Sequence, residues 1–528
     1  MFPQSSSARV NVFANDPNAK GLSLEQVPPP TGTSPFTIPG WTGAGGLFNP
    51  GTPQFEAGEL FVVLTNTYGA WSDFFGGDFA WQPGFAQLPI FPRAGQDFNA
   101  YYDRKGLKFF SNTDKTTGQA IYTCESSDVV AHECGHAVLD AQHSEYWDSL
   151  LGETAAFHEA FGDMSAILVT LGDAAVRAAI LSENGGDLAQ SNAVSRLAEQ
   201  LARGLFDSGL AQAVVSADAL RDAVNKFRYR DPDKLPGNAR ASKLSSESHS
   251  FSRVFSGAFY DLLVGIYAQL RKENATLSPD AALAQARADA GHLLAQGLLL
   301  APRGDAPFKT IASSMFTADA QGFGGRYFAA LRQAFVGRRI LKAAEAKQLQ
   351  SLGGAGHTQT SALLGTTSAP ISAPAVIDPA SVRIGEGLPS GFRGAVHVPK
   401  QEFRLVGEQP RRHASRVLHY RAARTMQLKG RAFGAARGAV IDVPDYLALQ
   451  VDRGGRVRSS HLHRADRAHE KRIRDHVAKL VARDRVYVAR EDESVDTAQL
   501  IAQKKPYYIA YDENGDKRIR RAFIACGG

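Results

Sequence analysis

The sequence predicts an α+β protein in which a strand- and loop-rich part precedes a helical part, with a small basic domain at the end. Three observations predict it. Between residues 60 and 122, aromatic residues alternate with Gly and Pro, from Trp71 and Phe74 to Phe109 and Phe110, the texture of short strands joined by turns. From Ser127 to about Leu349 the apolar spacing becomes helical. Beyond residue 400 the charge changes sign: residues 401–528 hold 27 Lys and Arg against 16 Asp and Glu, whereas residues 1–400 carry an acidic excess.

Taken in order, residues 1–57 are rich in Pro, Gly, Ser and Asn, and read as an extended arm with little regular structure. Residues 58–127 form the β-rich part, whose first apolar run, 60–65, suits either a buried strand or the start of a buried helix. Residues 128–351 form the α-helical part. Helices are expected there over 128–142, 153–171, 174–182, 192–203, 213–225, 252–272, 279–297, 308–320 and 325–349. Ser278 and the Ser250-Phe251-Ser252 stretch offer N-cap chemistry to two of the longest. Residues 352–380 are a low-complexity linker. Residues 381–528 are a basic accessory domain with strands expected at 395–398, 439–443, 446–451 and 507–511, and a turn at Asp512-Glu513-Asn514-Gly515-Asp516.

With 528 residues, 44% of them hydrophobic, the chain can build two to four cored domains. It contains no apolar run long enough to predict a transmembrane helix. No standard signal peptide is visible at the start, so the compartment is left open. The three cysteines, Cys124, Cys134 and Cys526, argue against a disulfide framework. Basic runs such as Arg411-Arg412-His413 and Lys471-Arg472-Ile473-Arg474 are most simply solvated faces. Their sharper reading is a surface for an acidic partner, anionic lipid or nucleic acid, although no clear nucleic-acid motif accompanies them.

The chemistry centres on His132-Glu133-Cys134-Gly135-His136. A helix places His132 and His136 one turn apart on one face, where two neutral imidazoles can hold Zn²⁺ while Glu133 reaches the water it activates. The plain alternative is a buried amphipathic helix with two satisfied histidines. A catalytic zinc site needs a third protein ligand, and Glu159 on the next helix is the natural candidate. Asp163 lies one turn further on, where it could accept the free N–H of a ligating histidine. Spacing alone leaves open an ordinary helix carrying two surface acids.

Five segments together resemble the thermolysin-like neutral zinc metallopeptidases, in one order along roughly residues 58–345. Asp128-Val129-Val130-Ala131-His132-Glu133 with Gly135-His136-Ala137-Val138 resembles the family's zinc helix. His158-Glu159-Ala160 with Asp163 is similar to its Asn-Glu-Ala-x-Ser-Asp helix, and Asn99-Ala100-Tyr101-Tyr102 to the edge segment that holds the substrate backbone like an added strand. His249 resembles the histidine that bonds the oxyanion, and Ala318-Asp319 with Leu331-Arg332-Gln333-Ala334-Phe335 resembles the closing helices. The resemblance implies a two-lobed gluzincin core that cleaves protein or peptide substrates. In it His132, His136 and Glu159 would ligate zinc, Glu133 would be the general base and His249 the oxyanion donor. Asp163 and His158 would support the ligands, and Asn99, Ala100 and Arg228 (or Arg230) would contact substrate.

The chain departs from that pattern in places. His158 stands where the family has Asn, and Tyr146 is the one candidate for its pocket tyrosine. No acid precedes His249 at the usual spacing, although Glu247 is near. Thr170 stands where a calcium-binding Glu is expected, which argues against the family's double Ca²⁺ site, although Asp128, Glu183 and Asp187 are nearby. The family's secretion signal and long inhibitory propeptide are not seen. Two rival readings are a catalytically idle peptidase scaffold used for binding and a narrow-substrate processing protease or toxin acting inside cells.

Overall fold

A computed structural model of the chain describes residues 9–209, 218–354, 404–410, 416–422, 424–451, 457–463, 466–490 and 493–525. The fold is mixed α+β. Its first long element, α1 (Pro53–Phe75), settles the ambiguity of residues 60–65 in favour of helix. The deciding signals lie outside that run. Thr52 caps the start by accepting from the Phe55 N–H, Pro53 occupies the first turn, and Gly76 ends the helix at φ 91°. The expected boundary at residue 57 therefore falls inside α1. The arm before it is also more regular than expected, since β1 (Val10–Phe13) and β2 (Leu24–Val27) form an antiparallel pair.

Short strands follow, as the aromatic and glycine-rich texture implied. The main sheet orders β3 (Phe36–Thr37), β4 (Leu88–Phe91), β6 (Leu107–Phe109), β5 (Ala100–Tyr102) and β20 (Ile524–Ala525) side by side. Thus a strand from the far end of the chain closes a sheet built near its beginning. The helices then run α2 (Ser127–Gln142), α3 (Glu145–Asp148), α4 (Gly152–Thr170), α5 (Ala174–Ser182), α6 (Glu199–Asp207), α7 (Ser248–Glu273), α8 (Pro279–Leu300) and α9 (Phe308–Gly322). One large apolar cluster joins α1, α2, α4 and α7 to α9, with Trp71, Phe157, Phe161, Phe255 and Phe308 at its centre.

Three helix expectations are corrected. Residues 192–203 begin as β9 (Arg196–Leu197) before α6, and residues 221–222 pair with it as β10 (Arg221–Asp222) instead of continuing a helix. Residues 210–217 lie outside the described residues. The span 325–349 divides into α10 (Phe328–Gly337) and α11 (Ala343–Gly354). The break is at Arg339, whose φ of 59° is left-handed, while the Ile340 and Leu341 N–H groups fold back onto the Phe335 carbonyl.

The basic domain has two sheets. One is antiparallel, β11 (Arg404–Pro410), β12 (Arg416–Ala422), β15 (Asp445–Val451) and β16 (Val457–His463). The other orders β13 (Thr425–Gln427), β14 (Val440–Asp442), β19 (Lys517–Arg521), β18 (Tyr507–Tyr511) and β17 (Val486–Val488). Against the second packs α12 (Arg467–Ala482), through Ile473 and Val477. Expected strands 439–443, 446–451 and 507–511 coincide with β14, β15 and β18; of the expected linker 352–380, residues 352–354 instead end α11, while 355–380 and the expected strand 395–398 lie outside the described residues. Among the described residues no single helix is long and apolar enough to cross a membrane.

Candidate metal centre

The site forms where α2 and α4 approach backbone to backbone. A β-carbon on Gly135 would stand 2.5 Å from Ser165 Oγ, and one on Gly162 would stand 2.6 to 2.7 Å from three atoms of the His132 ring. Two glycines thus let the helices close until His132 lies over Gly162. On α2, His132, Glu133 and His136 each place one ligand-type atom within 4.8 Å of the others, all buried. The imidazoles stand nearly perpendicular, with ring centres 4.7 Å apart.

From α4, Glu159 Oε2 lies 3.6 Å from His132 Nε2, and Asp163 Oδ1 lies 3.2 Å from His132 Nδ1. Asp163 is held in turn by Arg221 Nε at 2.8 Å and by the Ser256 hydroxyl of α7, which donates at 2.8 Å. His158 sits behind His136, with ring centres 6.0 Å apart. On α7, His249 turns Nε2 toward Glu159 Oε2 at 3.3 Å, while its Nδ1 lies 2.6 Å from Glu247 Oε1. Glu247 is also the N-cap of α7, accepting from the His249 and Ser250 N–H groups. One carboxylate both starts the helix and aims the ring, and it does so from two residues away.

The electrostatics follow from burial opposed by these partners. Burial resists charge on His132, yet Asp163 and Glu159 carry its pKa up to about 9. His249 also reaches about 9, because Glu159 and Glu247 outweigh burial. Burial pushes the Glu133 carboxyl up to about 8, and it drives His136 and His158 well below the usual imidazole value. Burial would raise Asp163, but Arg221 and His132 bring it below its ordinary value.

The donor set fits a zinc ion. His132 Nε2, both ring nitrogens of His136, both Glu133 oxygens and Glu159 Oε2 are buried without a hydrogen-bond partner. Unmatched polar atoms in a packed core cost about 1–3 kcal/mol each, and one atom from each of His132, Glu133 and His136 lies close enough to the others to share a single cation and its water. Two imidazoles and a carboxylate are a set that suits Zn²⁺.

Other expected residues land differently. Asn99 is buried just before β5, its carbonyl accepting from the Thr123 hydroxyl at 3.1 Å and its side-chain oxygen from the Ala100 N–H at 2.9 Å. Arg228 and Arg230 are exposed, and the guanidinium that reaches the acidic cluster is Arg221. No local pattern marks Arg221, because only the pairing of β10 with β9 brings it to Asp163. Tyr146 is corrected as a pocket residue: it is fully buried, and its hydroxyl donates to the Pro302 carbonyl. Asp128, Glu183 and Asp187 are engaged separately, with Ser126, Arg196 and the 187–190 turn respectively, and Thr170 bonds back to the Ala166 carbonyl. Cys124 and Cys134 are unbonded and buried, and burial raises both thiol pKa values. No family model matches this chain, and no curated protein gives a significant match.

Proposed function

We propose that the chain is a zinc-dependent endopeptidase with a two-lobed, thermolysin-like core. The observation that carries this reading is the buried convergence of His132, Glu133 and His136, with Glu159 Oε2 3.6 Å from His132 Nε2 and their ligand-type atoms left unmatched. His132, His136 and Glu159 would hold Zn²⁺, which when bound polarises the scissile carbonyl and brings the pKa of water down towards about 7.

The protein's own groups supply the rest. Glu133 takes the proton of the attacking water and passes it to the departing amine. His249, aimed by Glu247, donates from Nε2 to the oxygen that gains negative charge. Asp163 fixes the His132 tautomer, and Arg221 balances the charge of Asp163. The Asn99–Ala100 segment and β5 receive the peptide backbone as an added strand.

Metal analysis combined with peptide cleavage tests the proposal. One tightly held zinc per chain, lost in His136→Ala, with cleavage abolished by a chelator and restored by Zn²⁺, is the expected result. A chain that takes up no zinc at neutral pH rules the reading out. A calcium requirement is a weaker part of it, and cleavage assayed with and without added Ca²⁺ decides that part.

A further inference from the structure

The outer edge of β5 would have to be open for a peptide to add to it, and in this chain its Tyr101 and Tyr102 rungs are filled. β20 runs antiparallel to β5, with Ile524 opposite Tyr102 and Ala525 opposite Tyr101, while β6 pairs with the other side. Rising residue numbers in β20 lead from Tyr102 towards Asn99 and Ala100. The added strand is well seated. Ile524 is buried in the main core, and Ala522 and Phe523 pack with Tyr101 and Leu500. Arg521 donates to the Ser149 carbonyl at 3.3 Å and to the Tyr507 hydroxyl at 3.1 Å.

Other parts of the basic domain also rest on the helical part. Lys479 Nζ donates to the Asp233 carbonyl at 3.0 Å, and His469 Nε2 lies 2.7 Å from Asp305 Oδ2. His476 presses on Gly152, the first residue of α4, where a β-carbon would come within 2.8 Å of the ring. Between this domain and the candidate oxyanion donor lies a chamber of about 670 Å³. Arg221, Glu247 and His249 wall it on one side, with His476, Arg483 and Tyr507 on the other.

We propose that the basic domain is a built-in cover. Its strand β20 occupies the β5 edge in the manner of an extended peptide and excludes peptides until it is displaced. The proposal rests on the reading of β5 as a peptide-accepting edge. A strand tethered in the same chain competes at an effective concentration on the order of millimolar, so it prevails over a free peptide of equal intrinsic affinity present at lower concentration. Main-chain pairing is what both would compete for, so a substitution that removes a backbone N–H from β20 discriminates between them.

The test compares the zinc-loaded full chain with Ile524→Pro and with Ala525→Pro, the milder change at the strand's last described rung. Three quantities are read: amide hydrogen exchange in β5, affinity for a fluorescent decapeptide, and kcat/KM for its cleavage. Expected are faster exchange in β5, peptide affinity at least about tenfold tighter, and kcat/KM raised by a similar factor through KM. Faster exchange with unchanged affinity and turnover overturns the cover, as does unchanged exchange in both variants. Tighter peptide binding with no cleavage by any of the three proteins upholds the masked edge and removes the peptidase reading instead.

Discussion

Asp163 concentrates much of the site's order in one carboxylate, which Arg221, His132 and Ser256 all meet within 3.2 Å. An ionised carboxylate only accepts, so it makes Nδ1 of His132 the proton-bearing nitrogen and leaves Nε2 for a cation. Asp163→Asn keeps the shape but removes the charge that balances Arg221. Its zinc affinity is expected to fall about 10–100-fold in competition with a chromophoric chelator, the usual cost of losing such a support. Unchanged affinity would mean that Asp163 serves packing alone. His249 is a separate case, for it faces Glu159 without being needed as a ligand. His249→Ala should keep its zinc and lose about 10²–10³ in kcat, and loss of the metal in that variant would assign His249 a different role.

At the scale of elements, the site depends on how closely α2 and α4 can pack. Gly162→Ala places a methyl where three His132 ring atoms already stand at 2.6 to 2.7 Å. Such overpacking costs about 1–3 kcal/mol, so urea unfolding should show that loss together with reduced zinc content. Stability and metal content equal to the parent would show that the ring has room to move. The helices carrying the site were legible in the sequence because their periodicity is long. The spans expected at 128–142, 153–171 and 252–272 match α2, α4 and α7 to within a few residues. Elements that depend on distant partners were not legible. β10 exists through β9, and β20 exists through β5 at the other end of the chain, so neither leaves a signal within its own residues. The same reason hid Arg221, while Glu247 was visible because it lies two residues from His249.

Across the whole molecule, the N-terminal segment is fastened to α2 by acids. The Ser126 hydroxyl donates to Asp16 Oδ2 at 2.6 Å and also lies against Asp128 Oδ1. A hydroxyl has one hydrogen, so one of the two buried carboxyls must carry a proton for both contacts to form. Burial, and then the charge of Asp128, push the Asp16 pKa up to about 8. Because this folded-state pKa lies above the ordinary value, its stabilising contribution is fully present in acid and is lost as pH rises through about 8. Asp16→Asn, neutral at every pH, should flatten that loss, so metal-free parent and variant diverge in Tm between pH 5 and 9. Parallel curves would show that the pair holds no shared proton.

In the proposed peptide hydrolysis Glu133, set beside His132 and His136, moves the proton. The most direct measurement is kcat/KM for a peptide with zinc-loaded Ile524→Pro and with the same chain carrying Glu133→Gln, zinc content being determined for both. The account predicts equal zinc and a loss of about 10²–10⁴ or more in the Gln variant, the range general-base catalysis commonly supplies. Equal turnover by the two chains would contradict it.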